Sequence, residues 1–145
     1  LLVGELRDKR VERMAKDERV RDRLHFAGYR DDAPAQAGAC HAFVMPSVER
    51  EGLARAMIEA MAQGIAPIAT NVGGMPELVV DKECGLVVPP RDPQALAQAI
   101  LSLAQDPARC RAFGEKARLR IQTHFHIQGT VDKTVALFRE VTDGR

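Results

Sequence analysis

Two glutamates, Glu51 and Glu59, stand with seven residues between them in the stretch "PSVEREGLARAMIEAMAQGIAPIAT", residues 46–70. The stretch is typical of a buried strand end, a short loop and a helix over about 53–63. With helical geometry throughout, the two carboxylates would lie about 80° apart around the axis and could face one cleft. There they could accept hydrogen bonds from sugar or ribose hydroxyls. The same spacing is also common on ordinary solvated helices, so the pair alone leaves both interpretations open.

The beginning of this helix is a candidate anion site. Its first turn leaves backbone N–H groups without acceptors and carries about half a positive charge, which stabilises a phosphate or diphosphate. Gly52 would let the backbone approach a ligand closely. Arg55 falls in the first turn, where a cation opposes the helix dipole. A bound anion would remove that conflict; alternatively, Glu49 and Glu51 neutralise Arg55.

Alternating strands and helices would position this segment. Strands are predicted at 1–4, 24–28, 42–46, 66–70 and 85–88 and helices at 5–18, 33–39, 53–63 and 75–80, the first helix with Leu6, Val11 and Met14 near one face. Such alternation predicts parallel pairing, because each return to the sheet needs a crossover. We therefore predict a doubly wound, Rossmann-like α/β sheet, whose ligands bind beyond the carboxyl ends of the strands.

The last third of the chain is predicted to be a helical block. "RDPQALAQAILSLAQ" places Asp92 as an N-cap before Pro93, and "QDPARC" repeats the pattern at Asp106 and Pro107. A third helix is expected over about 127–142. Neither an internal repeat nor a Gly/Ser linker divides the sequence, so we predict one domain.

Composition excludes several classes of function. The chain has 145 residues, a formal net charge of +1 and only 4% aromatic residues, which speaks against nucleic-acid binding. Cys40, Cys84 and Cys110 are odd in number and lack metal-ligand spacing, so reduced thiols are expected rather than disulfides or zinc. No apolar run reaches the roughly 20 residues of a membrane span, and we expect a cytoplasmic location. "LLVG" resembles an interior strand, so a fragment of a longer polypeptide is expected.

Several motifs together resemble the retaining glycosyltransferases of the large "group 1" family, which have the two-domain GT-B architecture. That family's pattern of P-S, E-G-F-G, E-A-M-A-x-G-x-P-V and G-G-x-P-E is similar to "PSVEREGLARAMIEAMAQGIAPIATNVGGMPELV". "LLVGEL", "RLHFAGYRDD" and "GLVVPPRDPQALAQAI" also match family segments, in order. The resemblance implies that residues 1–145 form the C-terminal, nucleotide-sugar-binding half, truncated at its N-terminal side, with the acceptor domain absent from this chain.

The resemblance also implies roles for individual residues. Glu59 would hold the ribose hydroxyls, and Glu51 would contact the transferred sugar as the catalytic carboxylate. The donor diphosphate would face the turn and helix start formed by Gly52, Leu53, Ala54 and Arg55. Tyr29 and Arg30 would border the base.

Departures from the family pattern are informative. "EGLA" has Ala54 where the family has a glycine, which would be costly if the backbone there had a positive φ. Arg55 is expected to supplement the phosphate site. The family's Arg and Lys pair, which clamps the departing diphosphate, would precede Leu1. Stabilising that leaving group is electrostatic catalysis without a metal or other cofactor. We therefore expect this chain alone to be inactive.

The predicted activity is transfer of a hexosyl group, with retention of configuration, from a nucleotide-diphosphate sugar to a glycan, lipid or small-molecule acceptor. The acceptor would bind to the missing N-terminal domain, and the full-length protein could associate peripherally with a membrane. Two alternatives remain: a nucleotide-sugar epimerase of related fold, and a non-catalytic nucleotide-binding module. A dinucleotide dehydrogenase is disfavoured because no G-x-G-x-x-G opens the first helix.

Overall fold

A computed structural model describes residues 1–4, 8–49 and 51–143. The chain divides into two compact units, Leu1–Gln36 and Ala37–Arg145, and the single donor-binding domain expected from the sequence stays a prediction. Each unit is described by itself below.

The first unit is a small parallel α/β motif. Strand β1 (Leu2–Val3) is followed by helix α1 (Lys9–Ala15), a 3₁₀ turn at Arg21–Arg23 and strand β2 (Phe26–Gly28), which pairs with β1 in parallel. Helix α1 is shorter than the predicted 5–18. Its N-cap is Asp8, whose side chain accepts a hydrogen bond from the Arg10 backbone N–H. The predicted helical residues 5–7, including Leu6, lie outside the described residues, and Met14 is exposed.

The second unit contains a three-stranded parallel sheet in the order β3-β4-β5. Helix α2 (Ala33–Gly38) contains the boundary between the units and precedes β3 (Ala42–Met45), α3 (Arg55–Ala62), β4 (Ala66–Thr70), α4 (Met75–Leu78) and β5 (Leu86–Val88). The parallel α/β class is confirmed, and β4 has the predicted bounds. Among the described residues the five strands lie in two sheets, β1-β2 and β3-β4-β5, and not in one continuous sheet.

Three helices end the chain, as predicted: α5 (Pro93–Gln105), α6 (Pro107–His124) and α7 (Ile127–Asp143). Both predicted N-caps are present. The Asp92 carboxylate accepts a hydrogen bond from the Ala95 N–H, and the Asp106 carboxylate accepts one from the Arg109 N–H, each at 2.9 Å. These bonds satisfy backbone donors that the first turn of each helix leaves unpaired.

Helices cover both faces of the three-stranded sheet. Successive side chains of a strand point to opposite faces, so neighbouring residues enter different buried clusters. Ala69 of β4 joins one buried cluster, and its neighbour Ile68 joins the other. The first cluster lies under α3, α4 and α6 and includes Met57, Met61, Met75, Leu78, Ala117 and Ile121. The second lies under α5 and α6 and includes Leu86, Val88, Ala99, Leu103, Cys110 and Phe113. Helix α6 therefore contributes to both clusters and fixes α3 and α4 relative to the sheet.

None of the three cysteines is in a disulfide, and Cys84 and Cys110 are buried. Within the described residues, no helix has the length and apolar character needed to cross a membrane.

Candidate functional site

The site is assembled from two loops that leave neighbouring strands. Strands β3 and β4 are parallel and paired in register, with Met45 opposite Ala69, so they end at the same edge of the sheet. The loop after β3, described at residues 46–49 and 51–54, leads into α3, and the loop after β4 (residues 71–74) leads into α4. This edge is where open α/β sheets bind their ligands.

The two loops contact each other through their backbones. The Gly74 N–H donates a hydrogen bond to the Glu51 carbonyl oxygen at 3.1 Å. Gly73 has a φ of +51°, and a Cβ at that position would overlap the same carbonyl oxygen. A Cβ at Gly74 would lie 3.1 Å from the Gly52 carbonyl oxygen. At position 73 only a glycine allows this close approach, which fixes the backbone of Glu51 and Gly52.

The Glu51 carboxylate is held by a short chain of hydrogen bonds. The Ser47 hydroxyl donates to Glu51 Oε2 at 2.7 Å. The hydroxyl of Thr70, a residue only 3% exposed at the end of β4, donates to the Ser47 carbonyl oxygen. Sequence reasoning gave no role to either hydroxyl. The "P-S" dipeptide four residues before Glu51 was the available signal for Ser47, whereas nothing local pointed to Thr70.

Helix α3 begins two residues later than predicted, at Arg55. Ala54 is its N-cap residue, and no side chain caps the helix. The first intrahelical bond runs from the Ile58 N–H to the Ala54 carbonyl oxygen, so the preceding N–H groups of the first turn have no acceptor within the helix. Ala54 has a φ of −64°, so alanine in place of the family's glycine causes no backbone strain there. Gly52 and Leu53 lie in the exposed loop just before the helix.

The structure pairs Arg55 with neither of the two glutamates that the sequence offered as one alternative. Its Nε donates to Glu59 Oε1 at 2.7 Å, one turn further along α3. Glu49 instead accepts a hydrogen bond from Arg91 at 2.7 Å, and Glu51 accepts one from Ser47. The physical reason is helical spacing, since residues four apart are neighbours on a helix face. The Arg55 side chain is 91% exposed and that of Glu59 is 33% exposed, so this pair contributes little to stability.

Two cavities open along the carboxyl edge of the sheet. One of about 370 Å³ is lined by Asn71, Asp81, Val87, Val88, Pro89 and Pro90. The other, of about 190 Å³, is lined by Pro46, Val48, Thr70, Pro89, Arg91, Asp92, Pro93 and Leu96. Neither lining includes Glu51 or Glu59, whose carboxylates contact Ser47 and Arg55 respectively. That the two glutamates face one cleft therefore stays a prediction.

Tyr29 and Arg30, the residues predicted to border the nucleotide base, lie in the first unit. The Tyr29 side chain is exposed. The Arg30 guanidinium forms a two-point contact with Asp32, at 2.7 and 2.8 Å, and these hydrogen bonds hold the pKa of the Asp32 carboxyl well below its usual range. Their position beside a nucleotide base remains a prediction. Among the described residues, no cluster of three His, Cys, Asp or Glu side chains could hold a metal ion.

The protein-family model "Glycosyl transferases group 1" matches residues 1–120. The chain belongs to the group 1 glycosyl transferase family. Its structure is that of the C-terminal domain of a GT-B glycosyltransferase, as the sequence motifs predicted.

Individual relatives agree with the family assignment. The chain is 38% identical over 110 residues to the alpha-maltose-1-phosphate synthase of Mycolicibacterium smegmatis, covering 72% of this chain and 28% of that protein. It is 33% identical to the solved sucrose-phosphate synthase of Thermosynechococcus elongatus, with a TM-score of 0.88, covering 99% of this chain and 38% of that one. It is 26% identical to Anabaena HepE, solved in complex with UDP, with a TM-score of 0.85, covering 94% of this chain and 39% of that one. The chain thus spans well under half the length of these relatives.

Proposed function

We propose that this chain is the donor-binding part of a retaining glycosyltransferase of the hexosyltransferase type. The full protein would transfer a sugar from a nucleotide-diphosphate sugar to a glycan, lipid or small-molecule acceptor. The observation that carries the proposal is the uncapped start of α3 directly beside the glycine-supported loop that presents Glu51. Family membership and the UDP complex of HepE support it.

The start of α3 suits a diphosphate for two reasons. The first-turn N–H groups have no acceptor within the helix, and no side chain caps this end of α3 with a hydrogen bond. The dipole adds a favourable field for negative charge. Arg55 is almost fully exposed, so its guanidinium can rotate from Glu59 toward an anion at small cost. The amides of Gly52, Leu53 and Ala54 precede the helix and would complete the phosphate contacts.

Glu59 is proposed to bind the ribose hydroxyls. Arg55 Nε donates a hydrogen bond to one of its carboxylate oxygens. If Arg55 turns to the diphosphate, both oxygens of Glu59 become available as acceptors for a vicinal diol. The two residues would then act together, because the movement that completes the phosphate site also frees the ribose site.

Glu51 is proposed to contact the transferred sugar as the catalytic carboxylate. The Ser47 hydroxyl fixes one of its oxygens, and the Gly73–Gly74 turn fixes its backbone. A carboxylate held in place in this way stabilises the positive charge that develops on the sugar as its bond to the diphosphate breaks, and it needs no metal. The cations that would clamp the leaving diphosphate, and the acceptor site, are proposed to lie in the remainder of a longer protein. On this proposal the present chain binds donor without transferring sugar.

Calorimetric titration of the chain with UDP, GDP and ADP tests the proposal. A uridine or guanosine diphosphate is expected to bind most tightly. Glu59→Ala should weaken that nucleotide by about 1–3 kcal/mol, the value of a hydrogen bond to a charged group, which is about 5- to 150-fold. Glu115→Ala, on the exposed surface of α6, is the matched control and should bind like the wild type.

The outcomes separate the parts of the proposal. Equal binding by wild type and Glu59→Ala would refute the ribose assignment alone. Failure of the wild type to bind any of the three nucleotides would refute the donor site. A full-length homologue that alters a nucleotide sugar without an acceptor would favour an epimerase, whereas nucleotide binding without turnover in full length would favour a binding module.

A further inference from the structure

Arg120, near the end of α6, has contacts that the proposed donor site does not explain. Its Nε donates to the Leu78 carbonyl oxygen at 2.9 Å, and its terminal nitrogen donates to the Glu77 carbonyl oxygen at 2.7 Å. The guanidinium also lies over the Phe125 ring, 5.6 Å from its centre. One side chain thus holds two successive carbonyl groups at the carboxyl end of α4, more than 40 residues away in sequence.

These contacts connect α6 to the loop of Glu51. Helix α4 has only four residues, so it cannot hold its own geometry without packing. Its buried side chains, Met75 and Leu78, fix it to the core, and Arg120 fixes its carboxyl end. Its other end is Gly74, whose N–H donates to the Glu51 carbonyl oxygen. A shift of α4 would therefore move the contact that supports Glu51.

We propose that Arg120 is a positioning residue for the donor site, acting through α4 and the Gly73–Gly74 turn on the backbone of Glu51 and Gly52. The inference rests on the proposed function, because it assigns Arg120 to the geometry of that site. Arginine suits the task because its planar guanidinium donates two hydrogen bonds in a fixed direction. The Phe125 ring limits the positions that the guanidinium can adopt.

The test compares three variants of the chain. Arg120→Met removes the donors and keeps much of the apolar stem, and Arg120→Lys keeps the charge without the two-point geometry. Arg118→Met removes the same type of side chain from an exposed position on the same helix. UDP affinity is measured by calorimetry at a temperature at which circular dichroism shows every variant folded. Hydrogen exchange of the Gly74 amide is followed by NMR in parallel.

Arg120→Met is expected to weaken UDP binding about three- to tenfold, which is within the usual range for indirect coupling between packed elements. Gly74 amide exchange should become faster, while the amides of β4 keep their protection. Arg120→Lys should fall between Arg120→Met and the wild type, and Arg118→Met should match the wild type.

A purely structural role predicts a different result. Arg120→Met would then lower Tm but leave both UDP affinity and Gly74 exchange unchanged, and the positioning role would be refuted while the donor site stood. A wild type that binds no UDP, GDP or ADP would instead refute the donor site itself.

Discussion

Replacing Gly73 by alanine should damage the proposed donor site more than the fold. Gly73 has a φ of +51°, and its Cβ would overlap the Glu51 carbonyl oxygen. The overlap is with backbone and not with a flexible side chain, so the loop after β3 must move. The hydrogen bond from the Gly74 N–H to Glu51 would be strained or lost.

The cost to stability can be worked from these two effects. A left-handed conformation costs a residue with a Cβ about 1–2 kcal/mol. Loss of the Gly74 hydrogen bond adds about 1 kcal/mol. The free energy of unfolding should fall by about 2–3 kcal/mol, which leaves a domain of ordinary stability folded. Moving the Gly52 amide out of reach of an anion would forfeit one charge-assisted bond, so nucleotide affinity should fall about tenfold or more.

Gly64→Ala is the matched control, because it separates backbone strain from overlap. Gly64 has a φ of +80°, but the nearest atom to its Cβ would be the Gly114 carbonyl oxygen at an ordinary 3.8 Å. In this variant the free energy of unfolding should fall by the cost of the backbone strain alone, about 1–2 kcal/mol. Chemical denaturation gives the stabilities, and calorimetry with UDP gives the affinities.

Two results would refute the reasoning. If Gly73→Ala bound UDP as tightly as Gly64→Ala, the contact between the loops would not matter for the donor site. If both variants were equally destabilised and both lost affinity, the effect would come from general loss of stability.

Two further predictions concern a hydroxyl and a buried thiol. Ser47→Ala removes the hydrogen-bond donor to Glu51 Oε2. In calorimetric titrations the difference in affinity between UDP-glucose and UDP should shrink, while the affinity for UDP itself stays unchanged. An unchanged difference would argue against Glu51 as the sugar contact. Burial raises the pKa of the Cys84 thiol, so the folded state disfavours its thiolate. The free energy of unfolding should therefore stay constant up to the usual thiol pKa of about 8.5. Above that pH it should fall, because the thiol of the unfolded chain ionises first. Denaturant midpoints from pH 7 to 10 measure this fall, and a matched Cys84→Ala variant should lack that part of it.

Local patterns allowed most elements to be predicted. The continuous apolar run 66–70 marked β4 because its residues are buried on both faces of the sheet. The two Asp-Pro pairs marked the starts of α5 and α6, since an N-cap bond spans only three residues. The pair of Arg55 and Glu59 also obeyed a local rule. It was missed because only the acidic residues that precede Arg55, Glu49 and Glu51, were considered as its partners.

The sequence by itself determined the alternation of strands and helices, the helix caps and the resemblance that named the family, since each depends on neighbours along the chain. Only the tertiary structure decided how the site is held. Thr70 reaches Ser47 across 23 residues, the Gly73 turn meets the Glu51 loop, and Arg120 reaches α4 from another helix. Such contacts depend on where parallel strands end and how helices pack on them, and no local spacing encodes those distances.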